Sequence, residues 1–178
     1  SKKANVEGLN SVIDERWSPR SFDSKPVEPE KIKLLFEAAK WSPSSYNDQP
    51  WKYIYGVKNG EGDYDGILSS LVEFNQLWAS TAPVLIVAIS IDKKKDGTIN
   101  TYSAYDLGQA TLSLVLQAHH SGLHTHQMGG FNGDAIKKHF EIPEGYGIWS
   151  VIAVGYLGSP ENLTNEYMKN METAPRQR

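Results

Sequence analysis

Two short stretches carry side chains whose types and spacing could do chemistry. In RWSPRSF (residues 16–22), Pro19 pushes Ser18 toward an extended backbone, where alternate side chains share a side, so Arg16, Ser18 and Arg20 can converge. Two guanidiniums and a hydroxyl make an anion site, because Arg grips phosphate or carboxylate through paired charge-assisted bonds. A plainer role fits equally: Arg16 complements the C-terminal end of a preceding helix and Arg20 is solvated. In WSPSSYNDQPW (41–51), Pro43 and Pro50 stiffen a loop that holds Ser44, Ser45, Asn47 and Gln49, with no basic residue to activate a nucleophile. Such groups suit the edge of a planar heterocycle, and Tyr46 with the flanking tryptophans suits its flat face. The alternative is an ordered connector whose polar side chains satisfy their own backbone.

Other chemistries find little support. His119, His120, His124 and His126 crowd together, but no carboxylate stands at a ligand spacing and no fixed metal motif matches, so structural histidines and one substrate-facing histidine are expected. The G-x-S-x-G elbow, the P-loop and the G-x-G-x-x-G fingerprint do not occur. A nucleotide would have to be held by Arg16, Ser18 and Arg20 at a phosphate, by the 44–49 loop at a heterocycle edge, and by Gly129-Gly130 where backbone comes close.

The elements that must position these groups follow from pattern. The 178 residues suit one domain over 1–178, and a net charge of -3 argues against a nucleic-acid partner. There is no cysteine, which fits a reducing compartment, and no signal-like stretch or membrane-spanning run is evident. Apolar spacing predicts helices over 6–16, 29–40, 67–77, 101–121 and 134–140. Strands are expected over 51–57, APVLIVAISI and 146–157, with a turn at Asn59-Gly60 and a helix stop at Gly122. GEGDYDG and Lys93–Lys95 read as solvated turns, 123–128 as short and mixed, and everything beyond Pro160 as a polar tail. The helix over 101–121 is apolar around most of its circumference, as a buried interface helix would be.

Four blocks in order, RWSPRSF, SPSSYNDQPW (42–51), NQLWASTAPVLIV (75–87) and GLHTHQMGGF (122–131) followed by IWSVIAVGYLG, identify a resemblance. Over nearly its whole length the chain resembles the nitroreductase family of FMN-dependent oxidoreductases. The resemblance implies an α+β fold with a mixed, largely antiparallel sheet flanked by helices. It also implies a homodimer with an FMN in each of two interface sites. By position, Arg16 and Ser18 would hold the FMN phosphate and Arg20 would lie near the pyrimidine edge. Pro43, Ser44, Ser45 and Asn47 would come from the partner subunit, and Asn75 would serve the pyrimidine and ribityl side. Gly129 and Gly130 would offer backbone amides, and Arg176 or Arg178 would reach the phosphate. Trp78 stands where some members carry a Lys. The implied activity is transfer of hydride from NADH or NADPH to flavin N5, then reduction of a nitroaromatic, quinone or similar small acceptor in the cytoplasm. A flavin-binding module without turnover, or a specialised branch of the same fold, is the alternative.

Overall fold

The computed structural model describes residues 2–176. In chain order the elements are α1 (Ser11–Glu15), α2 (Pro29–Lys40), β1 (Trp51–Val57), α3 (Tyr64–Ser70), α4 (Glu73–Ala79) and β2 (Val84–Ile91). They continue with α5 (Ser103–His120), β3 (His124–Met128), α6 (Gly133–His139), β4 (Tyr146–Gly155) and α7 (Glu166–Thr173). The fold is α+β. Its sheet runs in the order β1-β2-β4-β3, and every neighbouring pair is antiparallel, so the sheet is antiparallel throughout rather than mixed.

Strand β2 sets the layers. Its continuous apolar run alternates across the pleat: Leu85, Val87 and Ile89 enter one core, and Val84, Ile86 and Ala88 enter the other. Leu35, Leu107 and Leu114 from α2 and α5 fill the second core; Ile67, Trp78 and Ile136 from α3, α4 and α6 fill the first. Gly122 ends α5 at φ 77°, with the N–H of Leu123 on Ala118 O and that of Gly122 on His119 O, the paired bonds of a Schellman stop.

Several expectations need correction. The helix expected over 6–16 is confined to α1, because Asn10 caps it and Gly8 takes a positive φ that breaks the preceding turn; Val6 and Leu9 are left exposed. The helix expected over 67–77 is two, α3 and α4. Leu71 bridges Phe131 and Val72 N donates to Gly130 O at 3.0 Å, so a long-range backbone pairing interrupts the helical pattern. GEGDYDG is no solvated turn throughout: Asp63 caps α3, and Tyr64 is buried with its hydroxyl on Ala82 O. Residues 124–128 form the edge strand β3, and the polar tail contains α7, whose Met168 is buried.

Candidate functional site

The RWSPRSF segment leaves α1 in extended backbone at Arg16, and its alternation brings Arg16, Ser18 and Arg20 to one cavity of about 220 Å³. Arg16 Nη1 donates to Ser18 Oγ at 3.4 Å. Trp17, Met171, Lys2 and Arg176 complete its lining, so among the described residues four cationic side chains surround it. Arg176 is held there by α1: its Nη1 donates to Asp14 O at 3.0 Å, among the carbonyls that a helix end leaves without partners. Arg178 lies outside the described residues.

The backbone beneath these cations is fixed by a buried acid. Glu172, on α7, takes the N–H of Arg20 on both carboxylate oxygens at 3.0 Å and that of Ser21 at 3.1 Å. Its lone pairs are thereby turned to backbone. On the opposite side the partly buried His126 of β3 meets Pro19 O through Nδ1 at 2.9 Å, and since a carbonyl only accepts, Nδ1 carries the proton. Burial holds the His126 pKa down to about 4. The ring also lies 4.5 Å from that of Trp78, which is buried and stacked with Phe22, so Trp78 is a core residue and does not replace the missing lysine.

One turn before Trp78 on α4, Asn75 donates through Nδ2 to Gly130 O at 3.1 Å. A Cβ on Gly130 would sit 2.7 Å from that amide nitrogen, whereas one on Gly129 would meet nothing within 4 Å. Asn75, Gly129 and Gly130 therefore form a second cluster, tied to the first through Trp78 and His126.

Pro43, Ser44, Ser45 and Asn47 do not line the cavity. Their loop is pinned to α5 and to the lysine turn: Ser45 N donates to buried Asp106 at 3.0 Å, Gln49 N to Ser44 Oγ at 3.0 Å, and Lys94 pairs with Asp48 at 2.6 Å. Tyr46 and Asn47 hold φ of 52° and 55°, and Tyr46 is 91% exposed. Beside the loop, α5 exposes Tyr105 and Leu112. Among the described residues no group of three or more His, Cys, Asp or Glu could hold a metal ion. His119 approaches Glu15 at 3.8 Å, and His124 packs edge-on against His119 and Trp17.

The family model for the nitroreductase family matches residues 13–71 and 61–156. The chain belongs to the nitroreductase family. Nitroreductase-family relatives match over most of its length. A crystal structure described as an oxidoreductase containing FMN superposes with a TM-score of 0.91 at 33% identity, covering 99% of this chain and 91% of that one. A protein of Archaeoglobus fulgidus, provisionally named an NADH dehydrogenase/NAD(P)H nitroreductase, is 26% identical over 158 residues, 85% of this chain and 86% of that protein. An uncharacterised 15.4 kDa protein of Mycolicibacterium smegmatis is 28% identical over 133 residues, 71% of this chain and 88% of its own length. These relationships make the protein an oxidoreductase.

In this nitroreductase-family chain, sequence reasoning missed Lys2 and Glu172 as parts of the site. Neither had a local signal. Glu172 sits in a polar segment and is separated from Arg20 by 152 positions, and nothing about Lys2 distinguishes it from a solvated lysine.

Proposed function

We propose that the protein is an FMN-dependent NAD(P)H oxidoreductase acting as a homodimer in the cytoplasm. The observation that carries this reading is the cavity in which Arg16, Ser18 and Arg20 meet Arg176. Its donor set fits a phosphomonoester, since guanidiniums bind phosphate in a fork and a hydroxyl adds a further donor. When bound, FMN supplies two-electron chemistry at N5, with hydride taken from NADH or NADPH and electrons passed to a nitroaromatic, quinone or similar acceptor in a two-step cycle.

The chain's own residues then bind and orient. Arg16 and Ser18 hold the phosphate with Arg176 beside them. Arg20, its backbone locked by Glu172, brings positive charge toward the pyrimidine edge. Asn75 is oriented by its bond to Gly130 O, and Gly129 leaves room for flat surface to come close to backbone. Pro43 and Asn47, exposed on a pinned loop with half-buried Ser44 and Ser45 between them, line the ring in a partner subunit, which suits a homodimer burying Tyr105 and Leu112 of α5. Among the described residues no helix is long and apolar enough to cross a membrane.

Anaerobic titration of the FMN-reconstituted protein with NADH and then NADPH, followed by flavin absorbance, tests the reading. Rapid bleaching, then reoxidation by a nitroaromatic or quinone, is expected. Tight yellow FMN that neither donor bleaches would replace this reading with a flavin carrier or a specialised branch.

A further inference from the structure

Lys2 lies far from the RWSPRSF motif in kind, yet its ammonium lines the same cavity as Arg16, Ser18, Arg20 and Arg176. Its position is built. The ammonium stands 4.4 Å from the centre of the Trp17 ring and donates to Met171 O at 3.3 Å. Of its three N–H donors one is placed on a carbonyl of α7, and an ammonium held between that carbonyl and the ring can also serve an anion in the cavity.

The residues that follow strap Lys2 in place. Ala4 N donates to Asp14 O at 2.9 Å, and Asn5 N to Asp14 Oδ1 at 2.7 Å with Asn5 at a φ of 56°. Lys3 pairs with Glu15 at 2.6 Å. That exposed pair adds little by itself; the backbone bonds set the strap's course. The same Asp14 carbonyl also receives Arg176, so one peptide oxygen at the end of α1 organises two of the cations around the cavity.

The charges are unbalanced. Among the described residues four cations and no carboxylate line the space, and the acid behind Arg20, Glu172, is engaged by backbone N–H groups. Burial and Arg20 both disfavour the charged form of Lys2, against the opposing pull of Glu172. A dianion in the cavity would relieve this mutual repulsion, and an uncharged hydroxymethyl group would not.

The geometry points to Lys2, carried by the 2–5 strap, as an additional phosphate-binding residue that makes the site selective for a phosphomonoester over the corresponding alcohol. This rests on the flavin reading above and extends it, since neither RWSPRSF nor the C-terminal arginines call for a lysine here.

Flavin fluorescence quenching measures affinity without turnover, with FMN and riboflavin as probes. Lys2→Met keeps the aliphatic stem on Trp17 and removes the charge, Lys2→Arg restores it, and Lys33→Met at an exposed position of α2 controls for net charge. Lys2→Met is expected to weaken FMN roughly tenfold with riboflavin within about twofold, and Lys2→Arg to recover most of the loss. Lys33→Met should bind FMN as the unsubstituted protein does. Equal FMN affinity in Lys2→Met and Lys33→Met, or parallel weakening of FMN and riboflavin, overturns the role of Lys2 and leaves the flavin reading standing. If the unsubstituted protein binds FMN no better than riboflavin, the flavin-phosphate reading of the cavity falls. Lys2 is then judged by inorganic phosphate: a rise in Tm lost in Lys2→Met retains it as an anion donor, and no rise overturns it as well.

Discussion

The imidazole of His126 donates through Nδ1 to the carbonyl oxygen of Pro19 at 2.9 Å, joining β3 to the segment that carries Arg16, Ser18 and Arg20. Burial keeps both His126 and His124 near a pKa of about 4, against 6.5 for the free side chain. The folded state therefore resists protonation. Between these values the unfolded chain binds more protons, so stability is complete above pH 6.5 and is lost as pH falls toward 4, by up to about 1.4 kcal/mol per pH unit for each histidine. Urea midpoints measured across this range should fall with pH, and His126→Ala should flatten the dependence. A midpoint independent of pH in the unsubstituted protein would contradict this.

Glu172 is 4% exposed and takes three bonds from two backbone N–H groups. Glu172→Ala leaves both N–H groups without a partner and should cost about 2–4 kcal/mol, read from chemical denaturation. Because the Arg20 backbone loses its anchor, FMN affinity should drop as well, measured at a temperature where the variant remains folded.

Gly129 and Gly130 should respond differently to the same added methyl. Gly130→Ala meets Asn75 Nδ2 at 2.7 Å and Val72 Cγ2 at 2.9 Å, so it should lower Tm by several degrees and disturb the Asn75 bond. Gly129→Ala meets nothing and should leave Tm unchanged within about a degree. If backbone at Gly129 faces flavin, that same variant should still weaken FMN binding; unchanged affinity would remove Gly129 from the site.

Tyr105 and Leu112 are 70% and 51% exposed on one long helix. Light scattering on the purified protein is expected to give twice the chain mass, and Leu112→Asp combined with Tyr105→Asp to give the monomer and to lose FMN with it. A monomer that binds FMN tightly would rule out the partner's loop as part of the site.

What could be read early shares a short range. The convergence of Arg16, Ser18 and Arg20 needs only Pro19 and the two-residue period of extended chain. The double burial of β2 shows in its unbroken apolar run, and the end of α5 in one glycine that tolerates a positive φ. Where a distant backbone competes, local pattern fails: Leu71–Val72 breaks an otherwise helical stretch because Phe131 and Gly130 claim its bonds. The segment before α1 likewise has apolar spacing but no core to bury it, and of the three apolar side chains of α7, Tyr167, Met168 and Met171, only Met168 is buried, too few to announce a helix.

By itself, then, the sequence determined the α+β elements that rest on strong periodicity, the family, and the motif residues that propose an anion site. Only the tertiary structure shows that Lys2 and Arg176 line the same cavity as those motif residues, that Glu172 fixes the backbone of Arg20, and that His126 joins the segment to Trp78 of α4. Charge and hydrogen bonding between residues more than a hundred positions apart leave no periodic trace, because their geometry exists only after the sheet has closed the distance.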